Sequence, residues 1–490
     1  MANPTLGITF TRLDDEPRGA ISASMSVVGI VGTAPLANAT NFPLNTPVQV
    51  FSDDAALIST LGTTGTIPDA LKALNDQLGP LQSAAKVVIV RVAEGVDADA
   101  TMVNIIGSSL TKTGIWALPE AGSVLGIMPR IIVTPGYTSQ QKSGLTLPVI
   151  VTAGSGGTNG TFALGFTGGT GSGAVGTFTV AGGVVTAINI TNGGSYTVAP
   201  TATFTASAGL TGAAASFTID FLANPVVAAL PPVLEKMLAV AIVSGPGTSL
   251  LGYTNWVKTF ASDRLIPVET GVKVGVTAAV KPSDSYIAGL AVQTDFENGG
   301  IPSHSWCNRP INGIVGTNRP IAFSLVDDAV EGQQILSQKG SIIVRGEAGI
   351  ETSIADSGYI YLGTDNTGLD DDWRTYSSVR MRDYIHLTLL RTLRRYIGRY
   401  NLNVQTCQSI LNTIDIFLRD LKSQGHIIGY KVELPQNGNP ATQLRLGKLN
   451  VQFRAEEAPV LKQINIKSSR YLASLDDMLA NITSNLKVAA

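Results

Sequence analysis

Near its C-terminus the chain changes hydrophobic period from helix to strand within a hundred residues. The segment VQTCQSILNTIDIFLRDLKSQG places Val404, Cys407, Leu411, Ile414, Leu418 and Leu421 at steps of three and four. That spacing predicts an amphipathic helix, and Ile410 and Phe417 widen its apolar stripe to the width a globular core needs. Gly425 follows, where a helix C-terminus favours glycine. Before it, DDWRTYSSVRMRDYIHLTLLRTLRRYIGRY predicts a longer helix burying Met381, Ile385, Leu389, Leu393 and Ile397, ended by the polar break at 401–403. After it, apolar positions alternate in residues 427–434, 444–454 and 460–467, which predicts three strands of a small antiparallel sheet.

The rest of the chain reads as an interrupted α/β pattern. A short alternating run, LGITFTRL, opens it. ISASMSVVGIVGTAP predicts a buried strand, Asp53 the cap of a helix through Leu61, PDALKALNDQLG a second helix and KVVIVRV another buried strand. Residues 143–219 then contain no Asp, Glu, Lys or Arg. Short Val/Ile/Phe-bearing runs there alternate between Gly-rich turns, which predicts an inserted β-sandwich or barrel, since a linker would lack those side chains. Strand and helix signals resume afterwards: AVAIVSGPG, RLIPVE, VKVGVTAAV and IAFSLV as strands, SYIAGLAVQTDFENG and DDAVEGQQILSQKG as helices. The fold class is therefore α/β (α+β) and multidomain, with mixed sheets and helices and an inserted all-β domain. The divisions read as an N-terminal arm over 1–20, an α/β domain over 21–142 and 223–370, the insert over 143–222, a C-terminal domain over 371–467, and an arm or helix over 468–490.

Composition adds one constraint. Only 14% of the 490 residues are charged, against about 25% in ordinary soluble domains, which points to a chain that buries surface against copies of itself. No run approaches the roughly 18 apolar residues of a membrane-spanning helix, and the N-terminus lacks the basic start and apolar run of a secretory signal. The net charge is −2, yet nine Lys/Arg and four Asp/Glu fall between Asp372 and Lys422, so the helix pair is cationic. Arg380, Arg391, Arg394, Arg395 and Arg399 share its polar face, which reads either as solvated surface or as a docking face for an acidic partner.

Candidate chemistry is sparse. GIVGTAP lacks the third glycine of a dinucleotide loop, and GPGTS lacks the lysine of a phosphate-binding loop. His304, His386 and His426 stand far apart in sequence. Asp370, Asp371 and Asp372 precede Trp373, where carboxylates favour a helix N-terminus. The two cysteines, Cys307 and Cys407, exclude a disulfide scaffold; thiols are the expectation, with a Cys307–Cys407 bond the alternative. No enzyme, cofactor, metal or nucleic-acid site is expected.

Both ends of the chain resemble the contractile tail sheath family of bacteriophages and phage tail-like particles. SVVGIVGTAP, PLNTPVQVFS, ALISTLG and KVVIVRV follow the family's opening order. DDWRTYSSVRMRDYI, FLRDLKSQGHIIGY and GKLNVQFRAEEAPVLKQINI follow its closing helix, helix–strand junction and final strands, whereas GYIYLGTDNTGLDD departs from it. The resemblance implies a structural subunit that stacks as hexameric rings in a six-start helix around a tail tube. It also implies baseplate and tail terminator partners, assembly in the host cytoplasm and residence in the virion tail, without membrane insertion. Contraction by subunit rearrangement would drive the tube through the host envelope. Terminal arms that add strands to a neighbour's sheet make Leu6, Gly7, Ile8, Thr9, Phe10 and Thr11, with Tyr430, Val432, Leu449, Val451 and Phe453, the strand-exchange candidates. The five arginines become the tube-facing candidates. The competing reading is an adhesin-like or carbohydrate-binding module carried on an α/β scaffold.

Overall fold

A computed structural model describes residues 24–78, 84–435 and 437–488. At its centre lies a six-stranded sheet in the order Leu265–Val268, Val240–Ser244, Ile131–Val133, Val28–Thr33, Lys86–Val92, Pro47–Phe51. Its neighbours run parallel except the edge strand Pro47–Phe51, which is antiparallel to Lys86–Val92. The unbroken Val/Ile runs follow from burial on both faces. Val28, Ile30, Val87, Ile89, Ile131 and Val133 enter one core, and Val31, Val88, Val90 and Ile132 enter the other.

The five longest helices are α1 (Thr66–Leu78), α2 (Asp284–Glu297), α3 (Tyr376–Leu393), α4 (Val404–Ser423) and α5 (Ala473–Val488). α1 and α2 cover the first face with Ile67, Leu71, Leu74, Ile287, Leu290 and Ala291. They meet closely: a Cβ on Gly289 would stand 2.7 Å from Gln77 Cγ. The Gln77 amide donates to the main-chain carbonyl of Asn312 at 2.8 Å and accepts from its main-chain N–H at 3.0 Å.

Residues 142–222 contain strands and no helix. Lys142–Ser155 and Thr211–Leu222 form an antiparallel ribbon, while Val184–Val198, Thr170–Ala181, Gly160–Thr167 and Thr201–Thr203 form a four-stranded sheet in that order. The two sheets do not close into a barrel. Phe178 centres their core, with Phe204 edge-on at 5.0 Å. Gly144 lets the ribbon approach the sheet, since a Cβ there would lie 2.8 Å from the carbonyls of Gly193 and Gly194.

α3 and α4 pack together through Met381, Ile385, Leu389, Ile414, Phe417, Leu418 and Leu421. Strand Ile427–Glu433 follows and pairs with Gln452–Glu457. This is a two-stranded hairpin, not the expected three-stranded sheet. Residues 444–454 are not one strand: Ala441–Arg445 is helical, and Gly447 turns at φ +73° before the strand begins at Gln452. Residues 460–467 form no strand. IAFSLV likewise forms no strand, and Asp54 rather than Asp53 caps the helix Ala55–Ser59. From Pro459 the chain is a separate unit, extended as far as the helix α5.

Candidate assembly surfaces

α3 is fixed to the α/β body by charge pairs. The Arg380 guanidinium is 1% exposed and grips Asp295 of α2 through both nitrogens, at 3.0 and 2.5 Å. It also donates to the Met25 carbonyl and lies 5.2 Å above the Trp306 ring. Ser26 donates to the same carboxylate, and Trp306 stacks on Tyr376 at 3.9 Å. Asp383 receives two bonds from Arg264, at 2.6 and 3.1 Å. Arg382 reaches the other way and clasps Glu457 at the end of the hairpin, at 2.5 and 3.0 Å. One helical turn thus ties body, helix pair and hairpin together through bidentate pairs, the strongest ion-pair geometry available to arginine. The motif VRMRDYI is chiefly this joint.

Arg380 is therefore no tube-facing residue: its charge is consumed inside the protein. Arg391, Arg394 and Arg399 are exposed at the far end of α3 and in the turn after it. Arg395 is half-buried over Tyr396 at 5.3 Å, and Arg399 lies over Tyr400 at 5.8 Å. Burial pushes the nearby Arg130 down to about 10; Asp383 opposes that, and Arg391 and Arg264 add to it. Apolar side chains share this end. Ile397, expected in the core, is 82% exposed, and Val404 is 71% exposed, because α4 begins beyond the body that covers its C-terminal half.

The hairpin carries the other candidates. Tyr430, Val432 and Phe453 are half-buried and pack onto the α3–α4 core, with Tyr430 Oη donating to Asp415 at 3.1 Å. Val451 also packs there, whereas Leu449 lies outside the strand. Inward side chains leave the main-chain edges of the hairpin as the surface available for pairing. Leu6, Gly7, Ile8, Thr9, Phe10 and Thr11 lie outside the described residues. Cys307 and Cys407 carry thiols and are not joined; Cys307 Sγ accepts from Gly363 N at 3.3 Å.

The acidic run before α3 acts as a cap, with Asp370 accepting from Asp372 N at 3.0 Å. A cleft of about 410 Å³ opens where α1 and α2 begin, beside a Lys281–Asp69 pair at 2.6 Å; Ser285 and Tyr286 line it, and the Ser285 hydroxyl donates to Asp284 at 3.0 Å. The partners of the α3 arginines were not found from sequence, although Asp295, the carboxylate that ends the uncharged run SYIAGLAVQT, was the available sign.

These features give a rigid body with a hairpin fixed to it through α3. The family profile for the tail sheath protein Gp18 domain III N-terminal region matches residues 26–92. A prophage major tail sheath protein of Pseudomonas aeruginosa is 26% identical over 94% of this chain and 95% of its own length. The tail sheath protein of Escherichia phage P2 is 21% identical over 98% of both. Among solved structures, the contracted sheath of the extracellular contractile injection system PVC superposes with a TM-score of 0.60 at 10% identity, covering 97% of this chain and 99% of that one. The contracted helical sheath of the anti-feeding prophage gives 0.56 at 14% identity, covering 96% and 100%. Over nearly its whole length the chain is similar to contractile tail sheath proteins of phages and a prophage, and its fold is that of the solved contractile sheaths. None of these relatives is described as an adhesin or a carbohydrate-binding module.

Proposed function

We propose that this subunit polymerises as stacked hexameric rings in a six-start helix around a tail tube. The polymer stores free energy in its extended lattice and drives the tube through the host envelope when the subunits repack. The observation that carries this reading is the hairpin: two strands with open edges, fixed to the body by Arg382 and to the core by Tyr430 and Phe453. Strand addition bonds main chain to main chain and so tolerates large rigid-body shifts of the subunits it links. Residues 6–11 and 460–467 are the strands offered to a neighbour.

Arg391, Arg394, Arg395 and Arg399 face the tube, where acidic groups hold the extended state. Baseplate and terminator proteins cap the polymer, which assembles in the host cytoplasm. The insert over 143–222 is an outer decoration of the sheath domain. The chain performs no catalysis, binds no cofactor or nucleic acid and enters no membrane. The substitutions Arg394→Glu, Arg395→Glu and Arg399→Glu together leave the fold intact, since none of the three takes part in the buried pairs. Co-expression with the tail tube protein then yields tubes without extended sheath; normal tube-templated sheath in the triple variant contradicts the assignment.

A further inference from the structure

α5 carries an exposed apolar stripe. Leu472, Leu475, Met478, Leu479 and Ile482 recur at helical spacing and are 68, 54, 50, 57 and 48% exposed. A 16-residue amphipathic helix of this kind is marginal in water and takes its stability from whatever covers its apolar face. Asp476 flanks the stripe and Asp477 lies opposite it. Just before the helix, Leu461, Ile464 and Ile466 of the extended segment are also exposed, at 75, 71 and 86%.

A matching surface exists at the tip of the hairpin. In the connection between the two strands Leu446 is 68% and Leu434 41% exposed, and Arg445 and Lys448 flank Leu446 in sequence. Distance and direction link the two surfaces. A strand formed by residues 460–467 completes an antiparallel sheet when it lies against Gln452–Glu457, a pairing somewhat more stable than the parallel one. Gln452 is at the hairpin tip and Glu457 at its base, so an antiparallel addition carries the chain from base to tip. The five residues 468–472 span at most about 17 Å, which keeps the start of α5 over the tip where its strand ends.

We propose that α5 is a clamp on a second copy of this chain. It lies on the hairpin-tip turn of the copy that receives residues 460–467, with Leu475, Leu479 and Ile482 covering Leu446 and Leu434, and Asp476 beside Arg445 and Lys448. The inference rests on the strand-exchange reading and adds to it a side-chain lock at the end of each main-chain link. The lock sets how firmly the arm is held while the lattice repacks.

Cysteine pairing in the assembled polymer tests it. Leu446→Cys with Leu479→Cys gives an intermolecular disulfide ladder on oxidation, because the clamp brings the two Cα atoms within disulfide reach. Leu446→Cys with Asn481→Cys, on the back of the helix, gives only the background set by Cys307 and Cys407. Equal ladders from the two pairs, or no ladder from polymers that do form, overturn the clamp. Two truncations cover the case in which a cysteine variant fails to assemble. Removing residues 471–490 leaves polymers that dissociate at lower urea than the full chain, and unchanged urea resistance overturns the clamp. Removing 459–490 abolishes polymers, and normal polymers from that truncation overturn the strand-exchange reading itself.

Discussion

At the scale of single residues, the helix that was expected to face a partner turns one of its arginines inward. Arg380 sits on the polar face by periodicity, yet it is buried against Asp295, 85 positions away. Helical spacing reports which residues share a face and carries no record of a partner supplied by another helix. Breaking such a pair leaves a buried charge uncompensated, at a cost of about 3–5 kcal/mol. Arg380→Met should lower the free energy of unfolding of the subunit by that amount in urea titration. Combined with Asp295→Asn, the loss should be well short of additive, and full additivity would disprove the pairing. Glu269 gives a second test. Burial pushes its carboxyl up to about 7 against the opposing hydrogen bonds of Arg319 and Gly247. Folded Glu269 therefore holds a proton between about 4.5 and 7 that the unfolded chain has released, so its contribution to stability grows as pH falls through that window. Glu269→Gln should stabilise the subunit at pH 8, on the order of 3 kcal/mol for a shift of this size, and the gain should fade by pH 5. Identical pH profiles for variant and wild type would exclude it. His426 acts in the other direction. Burial and then His304 hold its imidazole below the ordinary value, so its contribution is lost as pH falls through about 6.5, in both variant and wild type.

Among elements, legibility followed the availability of a partner within the chain. KVVIVRV and SVVGIVG were readable as strands because a parallel sheet buries both faces and writes continuous Val/Ile runs. The charge-free stretch was readable as β structure from its alternation, although not as a two-stranded ribbon packed on a four-stranded sheet, since pairing order leaves no trace in composition. α4 was readable along its C-terminal half; its first turns carry the same apolar period and remain exposed. The strand expected over 444–454 failed at Gly447, where the chain turns at φ +73°, and residues 460–467 alternate in sequence without forming a strand. The insert yields a prediction at this scale. Its ribbon begins and ends on paired residues, Lys142 opposite Leu222, and the neck is closed again by Asn224 donating to Gln140 at 3.0 Å. Directly opposed Cα atoms lie about 5 Å apart, so residues 143–221 can be replaced by a two-residue turn without moving the sheet. The deleted protein should fold, with circular dichroism losing only β signal, and should still form polymers. Loss of assembly in a folded deletion variant would mean that the insert is an intersubunit contact rather than decoration.

For the whole molecule, the arrangement separates what must stay rigid from what must move. The doubly covered sheet, α3 and the hairpin are tied by Arg380, Arg382 and Asp383 into one body. Such a subunit can change its packing without changing its fold, and that is what contraction requires. It follows that the isolated chain should assemble without nucleotide or metal, given only concentration. Electron microscopy of the purified full chain, alone and co-expressed with its tail tube protein, tests this most directly. The account predicts hollow striated tubes with six-fold end views, long and wide for the chain alone and tube-filled with the partner. Monodisperse monomers in both samples would contradict it.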